Sequence, residues 1–310
     1  MSTQDGTETV VGAGEHRYRM LDGWVKMPEG WPPLGQSFPA VDSDGNVFVL
    51  NRSEHPLVIF DSEGNFLDEW RQDWLNSAHG IRIDSSDNVW LGMFQSHIVQ
   101  KCDHDGSLLM TLGTPGKASN PDAVDHLQYF VEPPPRAYGP FSHMTDIAVA
   151  PNGDIYVSDG YTNARVHRFS SDGKLLQSWG EPGEERGTLY LPHGIDLYGD
   201  RVFVTSRESS RVNIYSTDGE FLDDWTDVGL PNGVRIDPKG AVYVTEGVGA
   251  SSRAQHYPDR FLSVFSQEHE LLARWSRPFD GGGHAIALTE GALYVGQNVA
   301  DNRLLKYERI

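Results

Sequence analysis

Residues Thr145 to Gly180 read TDIAVAPNGDIYVSDGYTNARVHRFSSDGKLLQSWG, and this stretch decides the fold. An apolar run with Ile147 and Val149 is followed by a Pro-Asn-Gly-Asp turn and the triplet Ile155-Tyr156-Val157. A third run ends at Phe169, the turn Ser-Ser-Asp-Gly-Lys follows, and a fourth run ends at Trp179. Short β-branched and aromatic runs separated by Gly, Asn and Asp turns predict four antiparallel strands. The 3.6-residue spacing of a helix is absent.

The same unit recurs along the chain in both directions. Its triplet returns as Val47-Phe48-Val49, Val89-Trp90-Leu91, Val202-Phe203-Val204, Val242-Tyr243-Val244 and Leu293-Tyr294-Val295, making six copies. Third strands end at Phe60, Cys102, Phe169, Tyr215, Phe265 and Tyr307, a period in the forties to fifty except for one gap of 67. Four strands per unit at that period predict a propeller blade, and six units an all-β, six-bladed β-propeller. The sixth copy stops at Ile310, just after its third strand, while Tyr18 to Trp24 has the spacing of a fourth strand. The N-terminal strand is therefore expected to close the last blade, which removes two sheet edges. This predicts an N-terminal tail at 1–16 and one propeller domain at 17–310. Two insertions interrupt the repeat. The first, at 114–143, holds Tyr129, Phe130, Tyr138 and Phe141 and is expected to form an ordered lid; the second, at 247–260, is shorter.

Composition narrows the class of function. With 44 acidic against 25 basic residues the net charge is -19, which repels phosphate backbones and anionic lipid surfaces and argues against nucleic-acid and membrane binding. The single cysteine, Cys102, allows no intramolecular disulfide. The first residues, MSTQDGTETVVGAGEH, lack the basic and apolar regions of a secretory signal, so a cytoplasmic location is expected. Nothing in the sequence sets an oligomeric state.

Aligning the blades shows which residues share a ring position. The first strand of each blade lines the central channel, and these strands open SFPAVD, HGIRID, TDIAVA, HGIDLY, NGVRID and HAIALT. Ser37, His79, Thr145, His193, Asn232 and His284 therefore face the axis, with histidine in alternate blades. Three neutral imidazoles converging on an axis suit Zn²⁺ or another divalent transition ion, and three protein ligands with an open position mark a catalytic site. Of the other nine histidines, His126 and His143 fall in or at the end of the long insertion, within expected reach of the site. His16, His55, His97, His104, His167, His256 and His269 are expected on the solvated surface. A second ring follows the second strands and places Arg52, Phe94, Gly160 with Tyr161, Arg207, Gly247 and Asn298 at the channel mouth. Arg52 and Arg207 there are suited to a substrate carboxylate, with pairing of Arg207 to Glu208 or Asp159 as the alternative. Tyr161 is a candidate general base or acid.

The run VSDGYTNARV, with Leu191-Pro-His-Gly-Ile and Val204-Thr-Ser-Arg-Glu, resembles the NHL-repeat propellers and, more narrowly, the peptidyl-α-hydroxyglycine α-amidating lyases. The resemblance spans all six blades and is most specific in blades three and four. It implies zinc on His79, His193 and His284, a catalytic tyrosine at Tyr161, and active-site arginines at Arg207 and Arg52. It further implies cleavage of an N-acyl α-hydroxyglycine into a primary amide and glyoxylate. Thr162 and Phe203 stand where the family has cysteines, so its disulfides are missing. Ala285 stands where it has an aspartate, which counts against its structural calcium. The expected function is a metal-dependent lyase acting on a small anionic carbinolamide. A hydrolase using the same metal, and a non-catalytic NHL interaction module, are the alternatives.

Overall fold

The computed structural model describes residues 9–21, 23–72, 74–75, 78–123, 128–247, 260–276, 283–297 and 304–310. Among them are 25 strands and no α-helix, with a 3-10 turn at Gln128–Phe130. The strands form six antiparallel sheets. Blade 1 is β3 (Ser37–Val41), β4 (Val47–Asn51), β5 (Leu57–Phe60) and β6 (Phe66–Trp70). Blade 2 is β7 (Ala78–Ile83), β8 (Val89–Met93), β9 (Ile98–Cys102) and β10 (Leu108–Gly113). Blade 3 is β11 (Met144–Val149), β12 (Ile155–Asp159), β13 (Arg165–Phe169) and β14 (Leu175–Trp179). Blade 4 is β15 (Pro192–Tyr198), β16 (Arg201–Ser206), β17 (Arg211–Ser216) and β18 (Phe221–Trp225). Blade 5 is β19 (Val234–Ile236), β20 (Val242–Thr245), β21 (Phe261–Phe265) and β22 (Leu271–Ser276).

Blade 6 takes β23 (Gly283–Leu288), β24 (Ala292–Gln297) and β25 (Leu304–Arg309) from the C-terminus and β2 (His16–Leu21) from the N-terminus. The closing strand is thus where the repeat count required it. It ends at Leu21 rather than at Trp24, whose indole turns into the seam between blades 6 and 1, 5.3 Å from Tyr294 and 6.0 Å from Phe60. The expected tail at 1–16 also holds structure: β1 (Val10–Ala13) pairs with β2 as a fifth, outermost strand, and β2 itself begins at His16.

Turn chemistry sets the hairpins. In the turn between β5 and β6, Asp61 Oδ1 accepts hydrogen bonds from the backbone N–H of Glu63 and of Asn65, and Gly64 takes φ +80°. His269 adopts the same left-handed conformation (φ +68°) between β21 and β22, stacked on Trp225 and paired with Asp227. The apolar core lies between blades rather than within them. Each of the six seams has its own cluster, such as Phe48, Ile59, Ile81 and Leu91 between blades 1 and 2. Burying one such side chain contributes about 1.5–3 kcal/mol, so every blade depends on both neighbours. The innermost strands β3, β7, β11, β15, β19 and β23 meet in sequence around a closed ring.

Candidate metal centre and active site

The inner strands do more than line the channel. In blades 2, 3, 4 and 6 the pairing of first and second strands slips at one place, between Ala78 and Gly80, Met144 and Asp146, Pro192 and Ile195, and Gly283 and Ala285. The bulged residue is His79, Thr145 or His284, or in blade 4 the pair His193-Gly194. A bulge bends its strand and re-aims a side chain, which here points each histidine at the axis. The glycine after the histidine lets neighbouring inner strands touch: a Cβ at Gly194 would lie 2.6 Å from the Asn232 carbonyl oxygen.

That approach orients two imidazoles. His79 Nδ1 donates to the Thr145 carbonyl at 2.8 Å, and His193 Nδ1 donates to the Asn232 carbonyl at 3.2 Å. A carbonyl only accepts, so Nδ1 carries the proton and Nε2 presents its lone pair. Both Nε2 atoms face the Tyr161 hydroxyl, at 3.0 and 3.2 Å. In blade 1 the pairing of β3 with β4 is unbroken, and among the described residues neither nitrogen of buried His284 has a partner. Ring centroids of the three lie 4.7–5.1 Å apart, and one ligand atom from each falls within 4.8 Å of the others. One phenolic proton cannot serve two Nε2 lone pairs and an unpartnered third imidazole. A buried centre with this surplus of acceptors fits a cation. Burial, with the nearby charges of Arg52 and Arg207, pushes His79 down to about 3. Burial and the neighbouring imidazoles hold His193 and His284 well below the usual value, in the neutral form that ligates metal.

Tyr161 sits above the triad because Gly160 allows it: a Cβ at Gly160 would stand 1.8 Å from the Pro192 carbonyl oxygen. Burial pushes the Tyr161 hydroxyl up, opposed by Arg207 and Arg52 and by a hydrogen bond from Arg207. Arg207 is buried and ion-paired with buried Glu208, at 2.9 Å. This is the first of the two pairings the sequence allowed. Asp159 instead accepts from the Ser142 backbone and Asn163 and contacts His167. Arg52 is exposed at the rim. Asn298 lies outside the described residues, as do His126, His256 and most of 247–260.

The long insertion packs onto blade 3. Asn120 Nδ2 donates to the Thr162 carbonyl at 2.9 Å, the Tyr138 N–H donates to Asn163 Oδ1 at 3.0 Å, and Phe141 is fully buried. His143 stops short of the triad, its ring 4.8 Å from Phe94 and its Nδ1 on Thr162 Oγ1. Three histidines expected on the surface are buried: His55 is bonded to Glu69, His97 receives the His143 N–H, and His167 bridges Asp159 and Ser178. His167 lies on the third strand of its blade and the other two in turns between second and third strands, positions whose depth only the blade packing sets.

Other residues escaped the sequence reading. Phe38 packs beside His79 and His284, at 4.9 and 5.1 Å. Beneath the triad, Arg235 donates to both oxygens of Asp146 (2.8 and 3.3 Å), and Arg82 reaches the Ile147 and Ile195 carbonyls and Asp196. Their signal was present as charged residues inside otherwise apolar inner strands. Ala285, which lines the same cavity as Asp146 and Arg235, brings no ligand oxygen. With Asp146 committed to Arg235, the residues present do not fit the structural calcium of the resembled family.

Comparison with known proteins agrees with this geometry. The NHL repeat family matches residues 141–169, overlapping the stretch that decided the fold. The chain forms a six-bladed propeller with an NHL repeat matched at 141–169, and it resembles the amidating lyases. Peptidyl-alpha-hydroxyglycine alpha-amidating lyase 2 of Drosophila melanogaster is 25% identical over 321 residues, covering 90% of this chain and 74% of that protein. NHL repeat-containing protein 3 of Homo sapiens is 31% identical over 204 residues, 61% of this chain and 54% of that one. The chain spans about half the length of that protein and its Mus musculus counterpart. Among solved structures, a gluconolactonase from Xanthomonas campestris superimposes with a TM-score of 0.65 at 14% identity, over 98% of this chain and 95% of that one, a likeness of fold alone.

Proposed function

We propose that this protein is a metal-dependent lyase. It cleaves the C–N bond of an N-acyl α-hydroxyglycine or a related anionic carbinolamide, releasing an amide and glyoxylate or a related aldehyde. The observation that carries the reading is the acceptor surplus at His79, His193 and His284 beneath the Tyr161 hydroxyl. The amidating lyases among the relatives support it. His79, His193 and His284 would hold zinc or another divalent transition ion, which would supply Lewis acidity. Tyr161 takes the hydroxyl proton as general base, with Arg207 and Arg52 opposing the rise that burial imposes on its hydroxyl. The O–H electron pair becomes the new C=O bond, the C–N pair leaves on the amide nitrogen, and that nitrogen receives the proton. Arg207 and Arg52 hold the carboxylate of a small anionic substrate.

Metal analysis of the purified protein tests the centre, with His193→Ala as control. Binding near one equivalent in the wild type and its loss in the variant are expected; less than about half an equivalent in the wild type overturns the reading. Incubation of the metal-loaded protein with an N-acyl α-hydroxyglycine should release glyoxylate. A metal-replete protein that releases none refutes the lyase on that substrate class.

A further inference from the structure

The long insertion delivers one side chain to the catalytic arginine. Phe130, buried at the end of the 3-10 turn, lays its ring 4.8 Å from the Arg207 guanidinium carbon and 5.8 Å from the Tyr161 ring. The guanidinium carbon is in turn 5.7 Å from the Tyr161 ring. Phe130, Tyr161, Phe94, Tyr190 and Leu191 form an apolar cluster separate from the blade seams. The insertion is tied to the turn that follows Tyr161: Asn120 Nδ2 bonds the Thr162 carbonyl and reaches the Tyr129 hydroxyl at 3.4 Å. One edge of Arg207 faces Glu208, whose Oε1 accepts from Nε and lies 2.9 Å from Nη2. The face is covered by Phe130.

We infer that Phe130 is a positioning residue for carboxylate recognition: its ring fixes the plane of the Arg207 guanidinium and keeps water from it. This rests on the functional reading above, in which Arg207 meets the substrate carboxylate. Two effects act together. The cation is attracted to the face of the ring, and its remaining donors meet a carboxylate in a region poor in water, where the charge interaction is stronger. Without the ring, Arg207 keeps Glu208 but loses the surface that orients the donors Glu208 leaves open.

The test uses glyoxylate, the expected product, as a carboxylate probe on the metal-loaded protein, with calorimetric binding beside steady-state kinetics. Phe130→Leu keeps apolar bulk and removes the π-face; Phe130→Tyr keeps both. Phe130→Leu should weaken glyoxylate binding about three- to tenfold and raise KM in parallel with little change in kcat, while Phe130→Tyr stays within about twofold of wild type. In an Arg207→Met background Phe130→Leu should add nothing, since the two residues act as one unit. Equal behaviour of the Leu and Tyr variants, or a Leu effect that persists without Arg207, overturns this inference and leaves the lyase reading standing. Failure of the wild type to bind glyoxylate or turn over an α-hydroxyglycine overturns that reading and this inference together. Melting temperatures of all variants separate misfolding from loss of positioning.

Discussion

A histidine held through Nδ1 by a carbonyl has one group left to offer, the Nε2 lone pair, and two of the three axial histidines are held this way. Their neutrality has a measurable consequence. Burial drops His79 to about 3 and its two partners well below the ordinary value, while the unfolded chain takes up protons from about pH 6.5 downward. The unfolded state binds more protons in that window, so the metal-free protein should lose stability as pH falls through it, by up to about 1.4 kcal/mol per unit per histidine. Melting temperatures of metal-free wild type and His284→Phe between pH 6.5 and 4.5 check this: the wild type should fall more steeply, and parallel curves contradict it. Tyr161→Phe should lower kcat about 100-fold or more with little change in KM. Arg207→Lys, which keeps a charge opposite Glu208 but loses the planar fork, should chiefly raise KM. The histidines and Tyr161 were legible because six copies of one unit can be laid over each other. Phe130 was not, since an insertion has no counterpart in the other blades to say where its side chains go.

At the scale of the strand, the bulges turn a list of histidines into a centre. The recurring His-Gly pairs were visible in the sequence, but pairing of the first two strands must be seen before the slip at His79 and at His193-Gly194 appears. Close approach of neighbouring strands then makes a glycine obligatory where no left-handed conformation demands one. Gly160 and Gly296 are the sharpest cases, with the Pro192 and Ser37 carbonyl oxygens 1.8 Å from an added Cβ. Gly160→Ala should destabilise the protein by about 1–3 kcal/mol and displace Tyr161 from the triad. A denaturation midpoint and kcat both unchanged from wild type would rule this out.

Across the whole molecule, the ring is closed by its two termini and plugged by charge. Tyr18 on β2 meets Tyr243 on blade 5 at 2.8 Å, and Arg309 on β25 donates to both hydroxyls, so the closing strand is bonded to its neighbour as well as to its own sheet. Below the histidine triad, Asp146, Arg235, Arg82 and Asp196 come from four blades and balance in charge. Breaking a buried pair leaves one charge uncompensated, so Arg235→Met should cost about 3–5 kcal/mol. Adding Asp146→Asn should recover part of that loss. Chemical denaturation of the single and double variants checks both signs, and a silent Arg235→Met would show that the plug carries no stability.

Repetition by itself determined the six blades, the closing N-terminal strand and the identity of the axial histidines, because each blade repeats one alternation of apolar runs and turns. Only the tertiary structure decided that Arg207 is shared among Glu208, Tyr161 and Phe130, that His167 and His97 are buried, and that Arg235 stands beside Ala285. The contacts of Arg207 with Tyr161 and Phe130, and of His97 with His143, join residues from different blades or from the insertion. Their distances depend on how far each bulge bends its strand and how closely glycine lets the next strand approach, and neither quantity is written in any one segment of the chain.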